Sequence, residues 1–73
     1  MSSEINMITI FVNGERHLVA PTSNLVALLA QLDLSGKRIA VELNQEIISR
    51  SNFADTLLHS DDRVEIVHAI GGG

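Results

Sequence analysis

Met7-Ile8-Thr9-Ile10-Phe11-Val12-Asn13-Gly14, followed by Glu15-Arg16-His17-Leu18-Val19-Ala20, is the stretch on which the fold turns. A β-branched run, an Asn-Gly pair and a second run read as two antiparallel strands joined by a tight turn. Asn and Gly both tolerate positive φ, which a type I′ hairpin turn demands at its two central positions. Strand alternation puts Ile8, Ile10 and Val12 on one face and Thr9 and Phe11 on the other.

Beyond the hairpin the hydrophobic period changes from 2 to 3.6. Pro21-Thr22-Ser23-Asn24 forms a loop in which Asn24 or Ser23 can cap a helix. Leu25, Leu28, Leu29 and Leu32 then recur at i, i+3, i+4 and i+7, a single apolar stripe. Ser35-Gly36 is expected to stop the helix, with Gly36 as its left-handed cap. Ile39-Ala40-Val41-Glu42-Leu43-Asn44 is a third strand. Gln45-Glu46 reads as a tight connection to a short strand, Ile47-Ile48-Ser49. Ser51-Asn52-Phe53-Ala54-Asp55 suggests one helical turn capped by Ser51, with Phe53 turned inward. After a turn at Ser60-Asp61-Asp62, the run from Arg63 to Ala69 is the last strand, with Val64 and Ile66 facing one way and Glu65 and Val67 the other. One helix with a single stripe must bury it against one face of a sheet of four or five strands, which is an α+β two-layer domain. The first and last strands can then lie side by side, parallel, in the middle.

Composition bounds the rest. Seventy-three residues make one domain with a thin stability margin. There is no cysteine, so neither a disulfide nor a side-chain thiol contributes. Only two residues are aromatic, Phe11 and Phe53, so the core is aliphatic. A formal charge of −4 argues against nucleic acid and favours a partner with a positive surface. No apolar run approaches the roughly 20 residues that span a bilayer, and the start lacks the pattern of a signal peptide, so a cytoplasmic protein without membrane contact is expected. The polar residues 1–6 are expected to be a disordered extension, 7–70 the folded domain and 71–73 a flexible tail.

That tail, Gly71-Gly72-Gly73, is the candidate working group. A glycine arm has no side chains and can enter a site that any Cβ would block. Three residues carry the terminal carboxylate on the order of 10 Å beyond the sheet. The α-carboxyl is ionised at neutral pH and is a poor electrophile until activated. His17, His59 and His68 fall on separate elements without ligand spacing, and Asp61-Asp62 reads as turn chemistry, so no metal site is expected. No serine–histidine motif supports a nucleophilic triad.

Taken together, Ile10-Phe11-Val12-Asn13-Gly14-Glu15, Asn24-Leu25-Val26-Ala27-Leu28-Leu29, Ala40-Val41-Glu42-Leu43-Asn44 and Asp62-Arg63-Val64-Glu65-Ile66-Val67 running into Gly72-Gly73 resemble the ubiquitin-like β-grasp family. More narrowly, they resemble its ThiS-type sulfur carriers of thiazole biosynthesis. The resemblance covers residues 7–73. Asp61 stands where the family often has a glycine in the turn before the last strand.

The resemblance implies a carrier rather than an enzyme, monomeric when free and holding no cofactor. A ThiF-type adenylating enzyme, using ATP and Mg²⁺, would join the Gly73 carboxylate to AMP. A persulfide sulfur would displace AMP to leave a thiocarboxylate, which would serve a ThiG-type thiazole synthase. Gly73 is then the reactive residue, with Gly72 and Gly71 as the arm. The open sheet face, with Phe11, Val67 and Ala40, is the expected docking surface. Three alternatives stay open: the small subunit of molybdopterin synthase, a ubiquitin-like modifier that forms isopeptide bonds, and a plain binding module with an idle tail.

Overall fold

The computed structural model describes residues 6–68. The expectations for residues 1–5 and for the end of the chain at 69–73 lie outside the described residues.

The element order is β1 (Ile8–Val12), β2 (Glu15–Val19), α1 (Leu25–Gln31), β3 (Ile39–Leu43), β4 (Glu46–Ile48), a 3₁₀ helix η1 (Arg50–Asp55) and β5 (Arg63–His68). The five strands form one mixed sheet in the order β2-β1-β5-β3-β4. β1 and β5 run parallel at its centre, and the other neighbours are antiparallel. The expected two-layer α+β architecture, with first and last strands adjacent and parallel, is what the chain adopts.

The hairpin forms for the reason its sequence gives. Asn13 and Gly14 have φ of 49° and 84°, the pair of positive values that a type I′ turn needs. The register Val12↔Glu15 and Ile10↔His17 follows from that two-residue loop. In α1, the side chain of Asn24 accepts from the Ala27 backbone N–H at 2.8 Å, an N-cap on the third helical residue. Leu25, Leu28 and Leu29 are buried, and Leu32 packs partly against the same core.

Under the helix lie Ile10, Val12, Val19, Val41, Val64 and Ile66, one inward residue after another from four strands. Phe53 of η1 and Leu58 close the side of the core. Leu58 reaches it because its N–H bonds to Ser23 O at 2.9 Å while Leu25 N–H bonds to Thr56 O at 3.1 Å, which lays the chain after η1 beside the start of α1. Full burial of each such aliphatic side chain is worth about 1.5–3 kcal/mol. No buried polar or charged residue occurs among the described residues.

Three local expectations need correction. The helix ends earlier than Gly36. Asp33 takes the left-handed conformation, at φ 63°, and its N–H bonds to Ala30 O at 3.1 Å while Leu34 N–H reaches Leu29 O at 2.7 Å. Those two bonds make a Schellman ending on a non-glycine residue. Turning the chain there sends Leu34 back onto the core, and Gly36 (φ 75°) serves the next turn, closed by Lys37 N–H on Leu34 O.

The β3–β4 turn is centred on Asn44 and Gln45, with φ of 52° and 73°, so β4 begins at Glu46 rather than Ile47. Register with β3 forces this, because Leu43 faces Glu46 across a two-residue loop. Finally, η1 starts at Arg50 and its N-cap is Ser49, with no side-chain capping bond; Ser51 lies inside the turn. Phe53 is buried as expected.

Candidate functional site

β5 is the last described element, and Gly71-Gly72-Gly73 follow it in the sequence, so what holds β5 in place is the part of the candidate site that the described residues form. β5 is held on both sides. Ile39↔His68, Ala40↔Val67 and Val41↔Ile66 pair it with β3. On the other side β1 stops at Val12↔Val64, and the Asn13 side chain continues the ladder. Its backbone N–H bonds to Val64 O at 2.8 Å, its Oδ1 accepts from Ile66 N–H at 2.8 Å and its Nδ2 donates to Ile66 O at 3.1 Å. A hairpin residue thus replaces the backbone partner that β1 no longer supplies.

The start of β5 is fixed in a similar way. Asn44 N–H bonds to Arg63 O at 2.7 Å, and its Oδ1 accepts from Arg63 N–H at 2.9 Å. Its Nδ2 donates to Asp62 Oδ1 at 3.0 Å, and Asp62 Oδ2 accepts from His59 N–H at 2.8 Å. Asp61, in the turn where the resembling family often has glycine, has φ of 70°, and its N–H bonds to Thr9 O at 2.7 Å. An Asp is among the few residues that tolerate this conformation.

The sheet face away from the helix is uncovered among the described residues. It carries Phe11 of β1, Arg16 and Leu18 of β2, Arg63, Glu65 and Val67 of β5, Ala40 and Glu42 of β3, and Ile47 of β4, as the registers require. Leu18, Ile47 and Val67 are 55%, 75% and 57% exposed on this face, Leu18 on the β2 edge, Ile47 on the β4 edge and Val67 on the central strand β5. Phe11 is half-buried, lies opposite Arg16 on one side and has the Arg63 guanidinium 5.4 Å from its ring centroid on the other. That is cation–π distance. Glu42 and Glu65 face each other directly across β3 and β5.

The sequence-derived pair Phe11 and Val67 therefore share the expected face, and Ala40 lies beside Val67. They are not neighbours. Phe11 pairs with Arg63, four residues before Val67, a separation along the strand on the order of 13 Å. Val67 marks the tail end of the face, Phe11 the opposite end, and the two glutamates lie between. Leu18 and Ile47 were not singled out by the sequence reading. The alternation phase of β2 and β4 carried the signal, once Val19 and Ile48 are recognised as inward. Gly71, Gly72 and Gly73 lie outside the described residues.

The histidines are placed apart. His17 on β2 has Nε2 4.0 Å from Glu15 Oε1, His59 Nδ1 is 4.0 Å from Asp62 Oδ2, and His68 ends β5. Among the described residues no group of three or more His, Asp or Glu side chains is arranged to hold a metal ion. No helix among them is long and apolar enough to cross a membrane.

With this geometry in hand, comparison with known proteins is specific. A model of the ThiS family matches residues 5–73. The chain is 40% identical over 52 residues to the sulfur carrier protein ThiS of Bacillus subtilis, covering 71% of this chain and 79% of that protein. It is 39% identical over 64 residues to the thiazole synthase of Magnetococcus marinus, covering 88% of this chain and 20% of that protein. The chain thus spans about one fifth of the length of the thiazole synthases it matches. The crystal structure of a thiamine biosynthesis protein (ThiS) from Geobacter metallireducens has the same fold, with a TM-score of 0.79 and 33% identity over 90% of this chain and 100% of that one. A family model spanning nearly the whole sequence, on a sheet and helix that a solved relative shares, shows that the chain belongs to the ThiS family.

Proposed function

We propose that this chain is a sulfur carrier of thiamine biosynthesis, with the Gly73 carboxylate as the group that carries sulfur. The observation that carries the reading is the ThiS-family match through residue 73, which takes in Gly71-Gly72-Gly73. A carboxylate oxygen attacks the α-phosphorus of ATP on a ThiF-type adenylating enzyme, and pyrophosphate leaves. The acyl adenylate so formed is open to attack by the terminal sulfur of a persulfide, and AMP leaves. Cleavage of the resulting S–S bond by a thiol leaves the thiocarboxylate on Gly73 and a disulfide on the donor. ATP and Mg²⁺ belong to the partner. Gly72 and Gly71 serve as the arm; a side chain at Gly72 would obstruct entry, and one at Gly73 would crowd the attacked carbonyl.

The open sheet face is the docking surface in this reading. Val67 sits at the end of the face nearer the C-terminal glycines in sequence, and Phe11, with the Arg63 guanidinium over its ring and Arg16 opposite it on β2, lies at the other end. Delivery of sulfur to a ThiG-type thiazole synthase is supported by the Magnetococcus marinus thiazole synthase, a protein that contains a stretch similar to this chain. The test is intact mass spectrometry after incubation with ATP, a ThiF-type enzyme and a persulfide donor. A gain equal to one oxygen exchanged for sulfur, mapped to Gly73, is expected. Conjugates to lysines of other proteins, or an unchanged mass, would overturn the reading.

A further inference from the structure

On the helix side of the molecule, the ending of α1, the start of β3 and η1 enclose a groove of about 150 Å³. Buried Leu29 and Phe53 and half-buried Leu34 and Ile39 line it, and Val26, 48% exposed, stands at its mouth. The early Schellman ending at Asp33 creates this groove, because it turns Leu34 inward and swings Gly36 and Lys37 out to form one wall. Lys37 and Arg50 provide its charged rim, and the Arg50 guanidinium donates to Lys37 O at 3.0 Å, which ties η1 to that wall.

Two features specify an occupant. A cavity of this size and lining accepts one benzene-sized group, too little for a nucleotide or a drug-sized cofactor but enough for a single aliphatic or aromatic side chain. The charge of the rim is the second. The chain carries nine acidic and five basic residues, yet the two charged side chains that line the groove among the described residues are both cations. A positive rim on a protein of net charge −4 selects anionic partners locally while the rest of the surface repels them.

We propose that this groove docks an acidic peptide segment of a partner protein, one apolar side chain seated against Leu29 and Phe53 and flanking carboxylates on Lys37 and Arg50. The site is separate from the open sheet face, on the other side of the sheet. It does not depend on the sulfur-carrier reading. Ile39 lines the groove and also pairs with His68, the last residue of β5, so an acidic segment seated there lies near that end of the strand.

The test is a titration followed by amide NMR shifts of the intact chain. The probe is a synthetic peptide of one leucine flanked on each side by two glutamates, and the control replaces each glutamate with lysine. The acidic peptide is expected to move the amides of Val26, Leu29, Gly36, Lys37 and Phe53, more weakly as salt is raised, and the basic peptide to leave them in place. Lys37→Glu, on an exposed side chain, should weaken binding about tenfold with an unchanged spectrum elsewhere. Val26→Glu should do the same from the mouth.

Equal binding of the basic peptide, or no shifts at millimolar acidic peptide, would overturn the proposal. So would shifts of these amides with protein concentration alone, which would assign the groove to a second copy of the chain. Shifts of the same amides on deleting residues 71–73 would assign it to the chain's own tail and would also overturn it.

Discussion

The side-chain amide of Asn13 pairs with the backbone of Ile66, 53 residues away, as another strand would. One residue therefore does two jobs. Its backbone supplies a positive φ to the β1–β2 turn, and its side chain holds the part of β5 that β1 does not reach. A local hairpin signal and the long-range placement of the tail's base are thus the same residue.

Substitution separates the two jobs. Asn13→Gly keeps the turn and removes the clamp, leaving Ile66 N–H and O without that partner. A loss of about 1–3 kcal/mol in urea unfolding is expected, from two net hydrogen bonds. Asn13→Ala should lose roughly a further 1–2 kcal/mol, because a Cβ residue without a compensating side chain is strained at positive φ. Equal stability of the two variants would show that the turn conformation does not matter there.

Asp33 and Gln45 hold left-handed backbone without being glycine. Gln45→Gly is expected to raise the urea midpoint, by about 0.5–1 kcal/mol in stability, and Asp33→Gly to change it less, because Asp tolerates this conformation. At Gln45, relief of strain of about 1–2 kcal/mol outweighs the added freedom of glycine in the unfolded chain. A fall in midpoint for Gln45→Gly would mean that its side chain contributes more than its backbone costs.

Glu42 and Glu65 stand directly opposite on β3 and β5. Like charges so placed oppose strand pairing, so Glu65→Lys should stabilise the fold by about 0.5–1 kcal/mol at low salt, with the gain shrinking as salt rises. Thermal unfolding at two ionic strengths measures it. A gain that does not respond to salt would point to a cause other than charge.

Phe11→Glu and Val67→Glu alter residues on the open face that the helix does not cover. Both variants are expected to keep the circular dichroism spectrum of the parent and to be adenylated at least about tenfold more slowly, measured by pyrophosphate release. Normal release by both variants would remove this face from the docking surface.

An amide on the Gly73 carboxyl should abolish pyrophosphate release because it leaves no carboxylate nucleophile, and an alanine placed after Gly73 should reduce it strongly because the carboxylate is displaced and carries a Cβ beside it, both with stability unchanged. Gly72→Val should reduce it strongly by obstructing the arm. Undiminished release from the amide would remove Gly73 from the chemistry.

The sequence by itself determined the elements and their faces. The Asn13-Gly14 turn, the Asn24 cap, the leucine stripe of α1 and the alternation in β1, β3 and β5 all appear as read, because each arises from sterics and periodicity among near neighbours. The family resemblance was legible for the same reason, since it lies in the order of those signals. What only the tertiary structure decided is where non-local pairing sets the outcome. Packing of Leu34 onto the core ends α1 at Asp33 ahead of a better-suited glycine, and strand register moves the β3–β4 turn onto Asn44 and Gln45. The clamp of Asn13 on Ile66, the facing glutamates and the cationic groove each join residues distant in the chain, and only folding brings those residues within reach of one another.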